Sequence, residues 1–177
     1  MTEKMILLIL LTMFTDEILA ELIRCPKIVM EAPMEMKQGR SGFVKRSFAL
    51  KSKDGLHYFN GFINQNLTFT ENFSIGLSYN PKDEKGNIVL LRCNGAHGGT
   101  NAHPHHASCH IHISTAERIN NGLKPEGKID MTNEYSTIED AIQYYAKHIN
   151  IDSIDRQKYF PPPSGQIDLF GQLNETI

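Results

Sequence analysis

The sequence carries little net charge, and its longest apolar run is short. The 18 Lys and Arg residues nearly balance the 20 Asp and Glu residues, which leaves a net charge of −2. A chain with so little charge has no overall attraction to nucleic acid or to an anionic membrane. The apolar run at residues 5–14 is also much shorter than the roughly 20 residues that a membrane-spanning helix needs. These shortages predict no membrane partner, and they require that any nucleic-acid binding come from a local patch.

Cysteine is also scarce. The sequence has 3 cysteines, Cys25, Cys93 and Cys109, and none of them forms a CxxC pair. Neither a disulfide framework nor a paired-cysteine zinc site is therefore predicted, and this usage is typical of a reducing compartment. No small-residue cleavage site follows the apolar run near the N-terminus, so we predict a cytoplasmic protein rather than a secreted one. A start at Met13 instead of Met1 would remove most of that run.

The spacing of the apolar residues differs between two parts of the chain. Residues 16–23 place apolar side chains on one face of a helix that Pro26 ends, whereas residues 73–79 alternate as in a half-buried strand. Capping-box patterns at Ser114–Glu117 and Ser136–Glu139 predict helices that begin at these serines. We therefore predict an α+β fold, in which an antiparallel sheet of four to five strands packs against an N-terminal helix and C-terminal helices.

The same patterns predict three segments. Residues 1–40 would form the N-terminal helix and a connecting segment, in which residues 29–36 (VMEAPMEM) are expected to be a loop. Residues 41–150 would form a histidine-rich α+β domain. Residues 151–177 would form a flexible C-terminal tail, because the sequence from Pro161 onward is rich in proline and polar residues.

Histidines are concentrated in one short region. Six of the 8 histidines lie between residues 97 and 112, namely His97, His103, His105, His106, His110 and His112. A loop rich in Gly, Asn and Pro precedes a strand that would direct Cys109, Ile111 and Ile113 into the core. His110 and His112 would then face the loop, where one of its imidazoles could meet them.

Four interpretations of this cluster are open. Imidazoles two apart on a strand, with one more from the loop, resemble a three-histidine zinc site. No Asp or Glu lies between Glu84 and Glu117 to complete a mixed site, so zinc is possible but no cofactor is expected. Paired histidines also suit metal-free acid-base cleavage of RNA. The strings HIH, YYAK (Tyr144–Lys147) and FTEN (Phe69–Asn72) match the order of motifs in HUH-type nucleases. A hydrogen-bonded polar loop without catalysis is the fourth interpretation.

The residues LLRCNGAH, HPHHASCHIH and STIEDAIQYYAKHI together resemble the TumE toxins of bacterial toxin-antitoxin pairs. They also resemble a set of small prokaryotic proteins with an NG-x-H and H-x-HIH core. The resemblance covers about residues 42–150, although Cys93 stands where TumE-type chains tend to have Asp. It implies a toxin-like ribonuclease whose gene lies beside that of a helix-turn-helix antitoxin, with RNA as substrate. By position it assigns the catalytic role to Asn94, His97, His105, His106, His110 and His112.

Two further patterns predict partners. Lys45, Arg46 and Arg92 are candidate nucleic-acid contacts, and the first two lie in a basic stretch that would otherwise be a solvated strand face. The tail sequence QIDLF resembles the pentapeptide by which bacterial replication proteins dock onto the sliding clamp. In that alternative the protein binds its partner without catalysis. Its residues Gln166, Leu169 and Phe170 would then enter a pocket on the clamp.

Overall fold

The computed structural model describes residues 13–36, 42–81 and 86–163. Its strands form one antiparallel sheet of seven strands whose spatial order is their order along the chain. The elements, in chain order, are α1 (Asp16–Arg24), β1 (Lys27–Met36), β2 (Phe43–Ser52), β3 (Tyr58–Asn66), β4 (Phe73–Asn80), β5 (Ile88–Asn94), a 3₁₀ helix (Pro104–Ala107), β6 (His110–Ser114), α2 (Ala116–Asn120), β7 (Glu126–Met131), α3 (Ile138–His148) and α4 (Ser153–Tyr159).

The α+β class is confirmed, but the prediction of four to five strands is wrong. The two unpredicted strands, β1 and β7, lie at the edges of the sheet. The pairing of β1 with β2 contains two register shifts, on either side of Glu31, and these hide the alternation that a strand otherwise shows. The segment VMEAPMEM is therefore part of a strand and not a loop. Strand β7 is rich in charged residues, as is common for edge strands.

The helix starts differ from the predicted ones by one residue. Helix α3 is capped by Thr137, whose hydroxyl accepts a hydrogen bond from the Asp140 N–H, and not by Ser136. Helix α2 follows Thr115, which makes no side-chain cap bond. Ser114, the predicted cap, instead donates its hydroxyl to the Val89 carbonyl oxygen on β5. Its hydroxyl thus stabilises the sheet rather than a helix end.

The hydrophobic core lies between one face of the sheet and the helices. We call this the helix face; it carries Phe48, Leu77 and Cys93, which are at most 3% exposed. Tyr145 of α3 packs edge-on against Phe48, and its hydroxyl donates to the Gly76 carbonyl oxygen at 2.8 Å. Helix α3 is thereby attached to the centre of the sheet by both apolar contact and a buried hydrogen bond.

The start of the predicted tail belongs to the core. Ile151, which is 1% exposed, forms a parallel bridge with Lys27, and Phe160 is 4% exposed and packs against Phe48. Helix α4 lies between them along the chain. Among the described residues of the predicted tail, only 161–163 lie beyond Phe160. No helix among the described ranges is long and apolar enough to cross a membrane.

Candidate functional site

The second face of the sheet carries the histidines, and we call it the histidine face. Strand pairing sets Arg92 opposite His112 and Asn94 opposite His110. Directly opposed residues of an antiparallel pair point to the same face, so these four side chains are neighbours. Ile111, between the two histidines, is 6% exposed in the core. The predicted division of this strand, with the histidines away from the core, matches the structure.

The loop between β5 and β6 folds back over this face. The His97 N–H donates to the His106 carbonyl oxygen at 2.9 Å, which closes the loop. Gly98 has φ +90, a conformation that other residues rarely adopt, and a Cβ atom on Gly99 would lie only 2.8 Å from Ala107. The loop ends in the 3₁₀ helix, which carries His105 and His106 above the strand pair.

His105 is the loop residue that meets both strand histidines. Its ring centre lies 5.0 Å from that of His110 and 5.6 Å from that of His112, and the last two are 5.0 Å apart. The three rings form a nearly equilateral triangle. His106 lies beside them, 4.3 Å from His105, and His97 stacks at a tilt on His106 at 4.2 Å.

These imidazoles bring ring nitrogen atoms close together. One ring nitrogen from each of His105, His106, His110 and His112 lies within 4.8 Å of the others. Nδ1 of His110 is 2.8 Å from the Ser108 carbonyl oxygen, and because a carbonyl oxygen only accepts, Nδ1 carries the proton. Nε2 then carries the free lone pair, which accepts a hydrogen bond of 3.4 Å from the Asn94 amide N–H. A metal ion bound at Nε2 would replace this hydrogen bond. The hydrogen bond from Nδ1 to the Ser108 carbonyl oxygen orients His110. Histidines that bind metal ions are commonly oriented by a hydrogen bond of this kind.

The cluster favours uncharged imidazoles. Burial, followed by the proximity of His97, lowers the pKa of His106 to about 4. Burial, followed by the charge of Arg92, lowers the pKa of His112 to about 4. Burial is also the main cause that lowers the pKa of His105 and of His110. Neutral imidazoles are the form that binds metal ions, so the four histidines can hold a metal ion at neutral pH.

A cavity of about 490 Å³ opens beside the cluster. Its wall includes Arg92, whose Nε forms an ion pair with Glu126, and Lys124, whose Nζ lies 3.2 Å from the other Glu126 oxygen. Ser74 and Asn94 also line it. The sequence indicated no carboxylate near the histidines, because Glu126 reaches this wall through the unpredicted strand β7.

Other predicted site residues lie elsewhere. Lys45 and Arg46 are both exposed, but the strand register puts Lys45 on the histidine face, in the row of Ser74, and Arg46 on the helix face. Tyr144 lies on α3, where its ring contacts Tyr135 and His148. Together with Lys147 and His148 it lines a separate cavity. This position separates it from His110 and His112. The clamp-like residues Gln166, Leu169 and Phe170 lie outside the described residues.

The sequence also gave no sign of Tyr135 as a contributor to the site. Its hydroxyl lies 3.0 Å from the His110 carbonyl oxygen and 3.3 Å from the Asn94 carbonyl oxygen. It thus contacts the backbone of both strands beneath the cluster. Ser74, in contrast, could have been found, because residues 73–79 alternate and the chain turns back into β5, so Ser74 faces outward beside Asn94.

No protein-family model, no curated protein and no solved structure matches this chain. The resemblance to TumE-type toxins therefore stays a prediction.

Proposed function

We propose that this protein is a zinc-dependent hydrolase in which His105, His110 and His112 hold the metal. The observation that carries this proposal is the triangle of imidazole rings. With Zn–N bonds of about 2.0–2.1 Å at tetrahedral angles, ring centres roughly 3.2 Å from the ion lie about 5.2 Å apart. The observed separations are 5.0, 5.0 and 5.6 Å. Three histidines and an open fourth position are the ligand set of many catalytic zinc sites.

The surroundings support a catalytic role over a purely structural one. Structural zinc sites are closed, whereas this cluster borders a cavity with polar walls. Bound zinc would act as a Lewis acid and lower the pKa of its water to about 7. His106 lies too close to His105 to be a tetrahedral partner. We assign it a hydrogen bond that orients the attacking water.

Metal-free acid-base catalysis has weaker support from the same residues. That mechanism requires one imidazole to be protonated near neutral pH, and the pKa values of His105, His106, His110 and His112 are all lowered. A toxin-like ribonuclease remains a narrower form of the proposal, with RNA as the substrate. Its test is induced expression of the parent and of a His110→Ala, His112→Ala double variant, followed by growth and RNA integrity measurements.

Zinc content separates the roles of the histidines. In protein purified without a His tag, we expect one zinc per chain by elemental analysis and near-complete loss in His112→Ala. His106→Ala should retain zinc but lose hydrolysis of model esters such as p-nitrophenyl acetate and bis(p-nitrophenyl) phosphate. A parent that binds no zinc at micromolar concentrations would overturn the proposal. If His106→Ala lost zinc as fully as His112→Ala, the site would be a closed four-histidine site instead.

A further inference from the structure

Six positions on three neighbouring strands form a regular grid on the histidine face. One row contains Ser74, Asn94 and His110, and the other contains Gly76, Arg92 and His112. Neighbouring strands are about 4.8 Å apart, and residues two apart on a strand are about 6.6 Å apart. The two histidines of the proposed metal site therefore stand one strand away from Arg92 and Asn94, and two strands away from Ser74.

Ser74 has a polar atom without a partner in this grid. Its Oγ is buried and makes no hydrogen bond, although the residue lines the cavity. A buried hydroxyl without a partner is costly, so this atom is a candidate contact for a bound ligand, ion or water.

Arg92 supplies positive charge to the same space. Its side chain is 26% exposed, and its contact with Glu126 uses Nε, while a guanidinium carries five N–H donors in a planar fork. Arg92 and Lys124 together outnumber the single carboxylate of Glu126 on this wall. This wall of the cavity therefore carries a net positive charge beside the metal position.

We propose that this part of the cavity binds the phosphoryl group of a phosphoester substrate, with Arg92 and Ser74 donating to its non-bridging oxygens. The inference rests on the proposed hydrolase, for which it names the substrate class. A planar fork of donors matches two phosphate oxygens better than it matches a neutral ester. Hydrolysis would form a bond between the water oxygen and phosphorus, break the bond from phosphorus to the ester oxygen, and leave a proton on that oxygen.

The test measures binding of inorganic phosphate by calorimetry, with full-length protein both zinc-loaded and zinc-free. We expect Arg92→Met to weaken phosphate binding about tenfold or more, and Ser74→Ala to weaken it several-fold, as for hydrogen bonds to charged groups. Arg46→Met is the matched control, because it removes the same charge from the helix face and should leave binding unchanged. Zinc content should be unaltered in all three variants.

Kinetics provide a second measurement. Arg92→Met should slow hydrolysis of bis(p-nitrophenyl) phosphate by a larger factor than hydrolysis of p-nitrophenyl acetate, because only the phosphodiester presents anionic oxygens to the guanidinium. The inference is overturned if the parent binds no phosphate in either form, or if Arg92→Met and Arg46→Met bind it equally. Phosphate binding that depends on Arg92 in a protein that takes up no zinc would support the anion site and refute the hydrolase. Zinc uptake without phosphate binding would refute the anion site and leave the hydrolase standing.

Discussion

The Tyr135 hydroxyl donates a hydrogen bond to the backbone carbonyl oxygen of His110, 3.0 Å away, from beneath the histidine cluster. Tyr135 is 4% exposed and also lies 3.3 Å from the Asn94 carbonyl oxygen. The hydroxyl therefore holds β5 and β6 in register at the point where they carry the site. Because Tyr135 is buried in the core on the helix face, the packing of that core helps to position the residues on the histidine face.

Removing this hydroxyl should affect both stability and metal binding. We expect Tyr135→Phe to lower the free energy of unfolding by about 1–2 kcal/mol, because it leaves buried carbonyl oxygens without their donor. It should also weaken zinc binding several-fold, since it loosens the strand pair that orients His110. Urea unfolding and competition with a zinc-binding dye measure the two effects.

Tyr145→Phe is the matched control for this prediction. Its hydroxyl is equally buried and donates to the Gly76 carbonyl oxygen at 2.8 Å, but Gly76 is on β4 and offers no metal ligand. A similar loss of stability with unchanged zinc affinity is expected. Equal effects of the two variants on zinc binding would show that Tyr135 acts only through general stability.

The metal-free protein should lose stability when the pH falls from about 6.5 to about 4. Unfolded histidine has a pKa of about 6.5, whereas the folded pKa of His106 and of His112 is about 4. The unfolded chain therefore binds more protons in this range, and stability that is fully present above pH 6.5 is lost as the pH falls. Thermal unfolding with a chelator present, compared between the parent and a His106→Gln, His112→Gln double variant, checks this.

The double variant isolates the histidines because all carboxyl groups remain in both proteins. The difference in unfolding free energy between parent and variant should shrink as the pH approaches 4. A difference that stays constant between pH 7 and pH 4 would contradict the lowered pKa values. Added zinc should extend the stability of the parent to lower pH, since protons and metal compete for the same nitrogen atoms.

The sequence predicted the strand that carries the site better than it predicted the rest of the sheet. The alternation of His110, Ile111 and His112 determines which side chains enter the core, and this pattern depends only on strand geometry. Strand β1 was missed because its register shifts and Pro33 interrupt the alternation. The position of Glu126 depends on β7, an edge strand with little apolar patterning, so pairing with β6 had to be seen in the structure.

The loop residues show a second limit. Sequence spacing identified His97, His105 and His106 as candidates but could not select the one that meets both strand histidines. That selection depends on the turn at Gly98 and Gly99 and on the 3₁₀ helix that begins at Pro104. These features are set by contacts between loop atoms rather than by a repeating pattern.

Lys27 provides a test of what holds the helices to the sheet. Its ammonium group is buried, with a side chain that is fully covered, and lies 4.7 Å from the centre of the Phe59 ring. It donates to the carbonyl oxygens of Ile23 and Cys25 at 2.8 Å and of Ile149 at 3.1 Å. The Lys27 ammonium group thus donates hydrogen bonds at the C-terminal ends of both α1 and α3. The carbonyl groups at a helix C-terminus have no partner within the helix.

We expect Lys27→Met to lower the free energy of unfolding by about 2 kcal/mol or more, because buried carbonyl oxygens lose their donor. Lys45→Met, at an exposed position of β2, should change it by less than about 0.5 kcal/mol. Burial lowers the pKa of Lys27 from 10.5 to about 8, so the unfolded chain binds more protons between these values. The parent should therefore gain stability over Lys27→Met as the pH rises from 8 to 10, which urea unfolding at each pH measures; a constant difference would contradict the lowered pKa.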